Sequence, residues 1–173
     1  MKNSIAIIGF MGSGKTTIGR LMAERFGYLF IDLDNIIEIS EKKTINDIFE
    51  HNGEKYFRDT ETNVIRKIAY NKRCVFACGG GIILRKENMR LITLNCDVVF
   101  LMISRGEAIK RLSVSTGRPL IPKMDRDKEI LGIFKRRANL YKQYAEIIIN
   151  NDNISSEKAV DLITERLKGR NSD

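Results

Sequence analysis

The sequence predicts a doubly wound α/β domain, a parallel sheet covered by helices on both faces, and three observations carry that prediction. Five short segments, Ile5–Ile8, Leu29–Ile31, Cys74–Ala77, Val98–Met102 and Ile147–Ile149, are apolar almost without interruption. Near-continuous hydrophobicity, rather than alternation, marks strands covered on both faces. The stretches between them carry apolar residues at helical spacing, and strands that alternate with helices pair in parallel through crossover connections. Between the first strand and the first helix, Gly9-Phe10-Met11-Gly12-Ser13-Gly14-Lys15-Thr16-Thr17 has the spacing G-x-x-x-x-G-K-[ST] in the strand–loop–helix setting of a phosphate-binding loop.

The loop glycines allow the backbone N–H groups to wrap closely around a polyphosphate, and the helix opening near Lys15 adds unpaired N–H groups and the positive end of its dipole. Lys15 then reaches the β- and γ-phosphates, and the Thr16 hydroxyl joins the shell of a Mg²⁺ ion. In the first helix Ile18, Leu21, Met22 and Phe26 share one stripe.

The second strand leads into Asp32-Leu33-Asp34. If extended geometry persists to its end, both carboxylates project to one side, into the crevice beyond the carboxyl ends of the strands where such sheets hold ligands. Asp32 then suits Mg²⁺, directly or through water, and Asp34 suits a hydroxyl to be oriented or deprotonated. Capping of a helix over Asn35-Ile36-Ile37 by the same aspartates is the alternative, and it does not exclude the first. Thr44 with Asp47 resembles a helix start before Ile48-Phe49, and Tyr56 through Tyr70 forms a longer amphipathic helix with Val64, Ile65 and Ile68 inward.

The third strand ends in Cys78-Gly79-Gly80-Gly81, three glycines that let another molecule press against bare backbone or that serve a strand-to-helix turn. Cys78 reads as a small strand residue, since nothing near it in sequence lowers a thiol pKa. Helices over Asn88–Leu94, Glu107–Leu112, Glu129–Tyr144 and Ser156–Leu167 complete the alternation.

A chain of 173 residues, 43% of them hydrophobic, fits one core, and no repeat, low-complexity tract or Pro-rich linker divides it. The expectation is a single domain over 1–173 with two insertions. Residues 33–70 hold more helix than a minimal crossover needs and read as a substrate-binding insertion. Residues 113–127, polar and charged around Gly117 and Pro119, read as a lid. Gly169–Asp173 is expected to fray. Lys and Arg outnumber Asp and Glu by 30 to 22, a net charge of +8 that favours anionic partners without naming them. Cys74, Cys78, Cys96 and the lone His51 make no zinc pattern, which suits a reduced, cytosolic protein. The run Ile5–Phe10 is too short to span a bilayer and passes directly into the glycine loop, so neither a signal peptide nor a membrane helix is supported.

Three arginines remain. Arg58, in Tyr56-Phe57-Arg58-Asp59-Thr60-Glu61, has an aromatic neighbour and a carboxylate three positions on that could fix its fork for a substrate carboxylate. Arg118, between Gly117 and Pro119, could swing onto a transferring phosphoryl group. Arg137 closes Lys135-Arg136-Arg137. Singly, each is an ordinary solvated charge. They acquire meaning only if the fold brings them to one cleft.

In the order loop Gly9–Thr17, Asp32/Asp34, Phe57-Arg58 with Glu61, Gly79-Gly80-Gly81, Arg118-Pro119-Leu120 and Arg137-Ala138-Asn139-Leu140-Tyr141, the chain resembles the shikimate kinases from about Ile5 to Leu167. These are small members of the nucleoside-monophosphate-kinase-like P-loop fold. The resemblance implies a three-layer P-loop kinase fold with a five-stranded parallel sheet of order 2-3-1-4-5. It also implies ATP-dependent phosphorylation of the 3-hydroxyl of shikimate, giving shikimate 3-phosphate and ADP in chorismate and aromatic amino-acid biosynthesis. Gly12, Ser13, Gly14, Lys15, Thr16 and Thr17 then hold the phosphates, and Thr16 and Asp32 serve Mg²⁺. Asp34 binds the acceptor hydroxyls and is the candidate base, with Lys15 and Arg118 as the other catalytic groups. Arg58 and Arg137 clamp the shikimate carboxylate, Phe49 and Phe57 line the pocket, and the loop Gly79, Gly80 and Gly81 contacts the ring substituents. Arg118 comes down with the lid onto ATP, and Arg111 resembles the family residue that stacks near adenine. The implied partners are ATP and shikimate, with neither nucleic acid nor membrane, for a cytoplasmic monomer.

Asn139 stands where proline is common in the family, and Cys78 precedes the glycines. The third strand supplies no acidic residue, so the metal role falls on Asp32. Gluconate-type and nucleoside-phosphate kinases share the loop, fold and lid and are the main competitors. A nucleic-acid-binding P-loop protein would account for the charge and for Lys135-Arg136-Arg137, but no recognition-helix, zinc-finger or RNA-binding signature accompanies them. A GTP switch lacks its Asn-Lys-x-Asp motif, the nearest string being Asn71-Lys72-Arg73-Cys74.

Overall fold

The computed structural model describes residues 2–114 and 126–170. Five strands, β1 (Ser4–Gly9), β2 (Leu29–Asp32), β3 (Cys74–Ala77), β4 (Cys96–Met102) and β5 (Ile147–Asn150), form one sheet of order β2-β3-β1-β4-β5. Every pairing is parallel, with Ile7 opposite Ala77 on one side and Val99 on the other. The helices are α1 (Lys15–Phe26), α2 (Leu33–Glu41), α3 (Ile45–Ile68), α4 (Lys86–Asn95), α5 (Arg105–Val114), α6 (Arg126–Tyr144) and α7 (Ser156–Gly169), with a 3₁₀ turn at Ile82–Leu84.

The sheet separates two apolar cores, and the period-2 pleat decides which side chain enters which. Ile5 and Ile7 of β1, Val75 of β3 and Val99 and Leu101 of β4 pack under α1 and α7. Their neighbours Ala6, Ile8, Phe76, Val98 and Phe100 enter the larger core beneath α2, α3, α4, α5 and α6. All of β1 is buried, as its uninterrupted hydrophobicity predicts. The edge strands depart from that expectation. In β5 Ile147 and Ile149 are buried while Ile148, on the opposite face, is exposed, because that edge strand is covered on one face only; in β2 Phe30 and Ile31 pack into opposite cores and Leu29, at the start of the strand, is exposed.

The two segments expected around Thr44 and Tyr56 join into one helix, α3, kinked at Gly53, whose φ of 80° and ψ of 170° leave the helical region. The predicted start is realised as a capping box: Asp47 N–H donates to Thr44 Oγ1 at 3.1 Å, and Thr44 N–H donates to Asp47 Oδ2 at 3.2 Å. The Thr44 hydroxyl, which donates to Asp47 Oδ2 at 2.6 Å, and then the Thr44 N–H hold the Asp47 carboxyl below its ordinary range. Helix α6 passes through Asn139 without interruption. Of the expected lid, residues 113–114 end α5 and 126–127 open α6. Residues 115–125, Arg118 among them, lie outside the described residues. No helix of the described residues is long and apolar enough to cross a membrane, and the three cysteines are free and buried.

Candidate active site

At the carboxyl ends of β1 and β3 two glycine loops lie side by side. Strand β1 stops at Gly9, Ser13 N–H donates to Phe10 O at 3.1 Å, and Gly14 takes the left-handed conformation at φ 87° as the N-cap of α1. That conformation strains any side chain, and Gly14 offers none to cap the helix, so no side chain occupies the first-turn N–H groups as a cap. This is the terminus at which an anion is stabilised by N–H groups and dipole together. Lys15 Nζ donates to Phe10 O at 2.9 Å, which folds the ammonium back over the loop.

Asp32 ends β2 and is the N-cap of α2, where its Oδ1 accepts from the N–H groups of Asp34 at 3.1 Å and Asn35 at 3.5 Å. The expectation that extended geometry carries both aspartates to one side is corrected here. Helix begins at Leu33, because a carboxylate at that position satisfies first-turn N–H groups that a continued strand would not present. The alternative reading, capping, proves compatible with the functional one. Asp32 Oδ2 remains directed across the crevice and accepts from Thr16 Oγ1 at 2.9 Å. Asp34, in the first turn of α2, instead faces the second glycine loop: a Cβ on Gly79 would lie 2.7 Å from Asp34 Oδ1 and 3.3 Å from Glu61 Oε1.

The other predicted groups reach the same loop. Arg58 Nη1 donates to Glu61 Oε1 at 3.1 Å and Oε2 at 3.0 Å, and its Nε donates to Glu54 Oε1 at 3.4 Å. The guanidinium carbon lies 4.9 Å from the centre of the Phe57 ring. A Cβ on Gly81 would fall 2.1 Å from Arg58 Nη2, so the fork occupies space that only a bare backbone leaves. Glu61 is 1% exposed, and burial pushes its carboxyl pKa up while the Arg58 charge opposes the rise. Phe57 is buried against half-buried Phe49, ring centres 4.7 Å apart. Of Lys135-Arg136-Arg137, the first two are exposed and Arg137 turns inward, its Nη1 donating to Gly80 O at 3.2 Å.

Three contributors carried no distinct role at the level of sequence. Tyr141, one turn beyond Arg137, also donates its hydroxyl to Gly80 O, and its ring stacks on Phe100 at 5.1 Å. Burial pushes its pKa up to about 12, which keeps it a neutral donor. Asn88 in α4, fully buried, places Nδ2 3.5 Å from Glu61 Oε2. Asn151, after β5, donates to Ser13 O at 2.9 Å. The i,i+4 spacing of Arg137 and Tyr141 on one helix face was the only local signal for any of them.

Arg111 is held against the phosphate-binding loop: its Nη1 donates to Gly12 O at 3.3 Å, Nη2 to Asn151 O at 2.8 Å and Nε to Glu107 Oε1 at 2.6 Å. The two glycine loops also meet each other, since a Cβ on Gly80 would lie 3.6 Å from Gly9 O and from Met11 N. Asp34 at Gly79, Arg137 at Gly80 and Arg58 at Gly81 therefore surround one short backbone segment beside an anion-binding turn. Such a cleft can hold a small molecule bearing a carboxylate and hydroxyls against a polyphosphate.

Comparison with known proteins places the chain in a family. The family model described as shikimate kinase matches residues 11–168. A shikimate kinase of Sulfurihydrogenibium is 40% identical over 170 residues, 98% of this chain and 100% of that protein. One of Dehalococcoides mccartyi is 37% identical over 167 residues, 96% and 94% of the two chains. The structure of Acinetobacter baumannii shikimate kinase in complex with shikimate superposes with a TM-score of 0.93 at 30% identity, covering 98% of this chain and 95% of that one. A gluconokinase of Sinorhizobium meliloti shares the fold alone, at 18% identity and a TM-score of 0.57. With the match extending across nearly the whole chain and both glycine loops in place, the chain belongs to the shikimate kinase family.

Proposed function

We propose that the cleft between the two glycine loops is where this chain, an ATP-dependent shikimate kinase, aligns its two substrates, and that its residues divide the work as follows. The carrying observation is the convergence of Asp34, Arg137 and Arg58 on Gly79–Gly81 within van der Waals reach of the phosphate-binding loop. The N–H groups of Gly12–Thr17 and the Lys15 ammonium receive the triphosphate. Arg58 and Arg137 grip the shikimate carboxylate. Arg137 exchanges its bond to Gly80 O for that anion while Tyr141 keeps the carbonyl satisfied. Phe49 and Phe57 form the apolar wall.

Asp34 orients the 3-hydroxyl toward the γ-phosphorus and accepts its proton as the new P–O bond forms and the bond to the ADP oxygen breaks. Little covalent chemistry is asked of the protein, so alignment and charge neutralisation supply most of the rate. The Thr16 hydroxyl and Asp32 carboxylate, 2.9 Å apart beside the phosphate turn, are the hard oxygen donors that suit Mg²⁺. When bound, the ion would neutralise charge on the β- and γ-phosphates. The substrate-binding insertion at 33–70 supplies Asp34, Phe49, Phe57 and Arg58. Arg118 in the lid at 113–127 is assigned the charge developing on the transferring group, and Arg111 is assigned the adenine side of the loop. A reducing, cytoplasmic setting suits the buried free thiols, and the reading is of a monomer acting on small molecules, without nucleic acid.

The test is phosphate transfer from ATP, with and without Mg²⁺, to shikimate, gluconate and nucleoside monophosphates side by side. Turnover is expected with shikimate; robust turnover with a nucleotide or gluconate alone would reject the assignment.

A further inference from the structure

The phosphate-binding loop is braced from a direction that no motif indicates. A loop that turns its N–H groups toward an anion turns carbonyl oxygens away from it, and each buried carbonyl then needs a donor from elsewhere in the fold. Two successive carbonyls, the buried one of Ser13 and the more exposed one of Gly12, find theirs just beyond β5 and on α5. Gly12 O accepts from Arg111 Nη1 at 3.3 Å, and Ser13 O accepts from Asn151 Nδ2 at 2.9 Å. Asn151 is itself anchored, because its N–H continues the β4–β5 pairing to Met102 O at 2.8 Å and its carbonyl accepts from Arg111 Nη2 at 2.8 Å. The side chain is 4% exposed and lies so near the loop that a Cβ on Gly14 would sit 3.3 Å from Nδ2.

The orientation of the amide follows from its partner. Reversed, Oδ1 would face the Ser13 carbonyl, acceptor against acceptor. As it stands, Oδ1 is buried without a hydrogen-bond partner among the described residues. A side chain that leaves one polar atom unsatisfied yet directs the other at the peptide before the Gly14 turn is held there for that contact, not for packing.

We propose that Asn151 is a positioning residue for the nucleotide. Its amide fixes the Ser13–Gly14 peptide so that the N–H groups from Gly14 into α1 are already aimed at the phosphates before ATP arrives. The inference rests on the assignment of this loop to ATP. It adds that a residue 138 positions away in sequence, touching neither substrate, sets nucleotide affinity. Preorganisation of this kind raises affinity by removing the cost of ordering the loop on binding.

Three variants test it, with ADP binding measured by calorimetry and KM measured separately for ATP and shikimate. Asn151→Leu keeps the branched outline at a larger volume and removes the donor without adding charge, Asn151→Asp keeps the shape and presents an acceptor to Ser13 O, and Asn151→Ser retains a shorter donor. Leu and Asp are expected to weaken ADP and raise the ATP KM about ten-fold, as loss of a buried hydrogen bond implies. Ser should fall between them and the unaltered chain, and the shikimate KM should stay within about two-fold because that site is built from other elements. If Leu and Asp fail to fold, Ser alone decides, through the same split between the two substrates. ADP binding unchanged in the folded variants, or an equal loss of both substrates, overturns the proposal. Failure of the unaltered protein to bind ADP would instead overturn the assignment of the loop.

Discussion

Gly81→Ala perturbs the Arg58 guanidinium by an added methyl group while leaving the Arg58 side chain itself chemically intact. Gly81 has φ of −101° and ψ of 1°, values open to alanine, so the backbone bears little strain. The obstruction is local: the added methyl carbon would sit 2.1 Å from Arg58 Nη2 and 2.5 Å from its Cζ, well inside contact distance. The nearest atoms belong to the far end of a long side chain, so the guanidinium retreats and the fold survives. Its present site is enclosed by the Phe57 ring and the buried Glu61 carboxylate, and the side chain is only 11% exposed, so retreat costs the fork its alignment.

A charge-assisted bond to the substrate carboxylate contributes about 1.5–3 kcal/mol, so its loss should raise the shikimate KM by roughly 10- to 150-fold. The ATP KM should be unchanged. Glu61, deprived of its partner, should lower stability by about 1–3 kcal/mol, or about 2–12 °C in Tm for a chain of this size. Arg58→Lys should show the same split between substrates, because an ammonium cannot reproduce the two-pronged geometry. Steady-state kinetics with each substrate varied in turn, alongside thermal unfolding, makes the check. An unaltered shikimate KM in Gly81→Ala, or an ATP KM raised by the same factor, would refute the reasoning.

Three further outcomes are expected. Lys15→Met should lower kcat by about 10²-fold or more with the fold intact, since it removes the charge at the phosphates while keeping an unbranched stem of similar length; turnover near the unaltered rate would remove Lys15 from the phosphate site. Asp32→Asn should raise the Mg²⁺ concentration needed for half-maximal rate about ten-fold while leaving the shikimate KM alone, and an unshifted Mg²⁺ titration would take Asp32 out of the metal shell. Glu61 is held by burial at a raised pKa, so from the ordinary glutamate range up to that raised value the folded state binds more protons than the unfolded chain, and stability falls as pH rises through the window. Urea midpoints measured across pH 4–7 should therefore slope less steeply in Glu61→Gln, and identical slopes would show that Glu61 does not titrate differently on folding.

Much of this architecture could be read locally. Hydrophobic runs of strand length, helical stripes and the glycine-lysine-threonine loop are patterns of near neighbours, and β1, β3 and α1 lie where those patterns predict. The Thr44–Asp47 box formed because both partners lie within one turn. The same locality explains what was misread. Asp32-Leu33-Asp34 is consistent with a strand end or a helix cap, and the choice went to the cap. The one-sided cover of β5 depends on its place at the sheet edge, which its own apolar residues do not encode.

By itself, then, the sequence determined the alternation of strands and helices and the presence of a phosphate-binding turn, because each rests on contacts between residues a few positions apart. Only the tertiary structure decided that Arg58, Arg137 and Asp34 meet at Gly79–Gly81, that Tyr141 shares the Gly80 carbonyl, and that Asn151 and Arg111 brace the loop. Those contacts join residues such as Arg137 and Gly80, 57 positions apart, and Asn151 and Ser13, 138 apart. Parallel crossovers bring such positions to one end of the sheet, and no local periodicity records which side chains will face each other there.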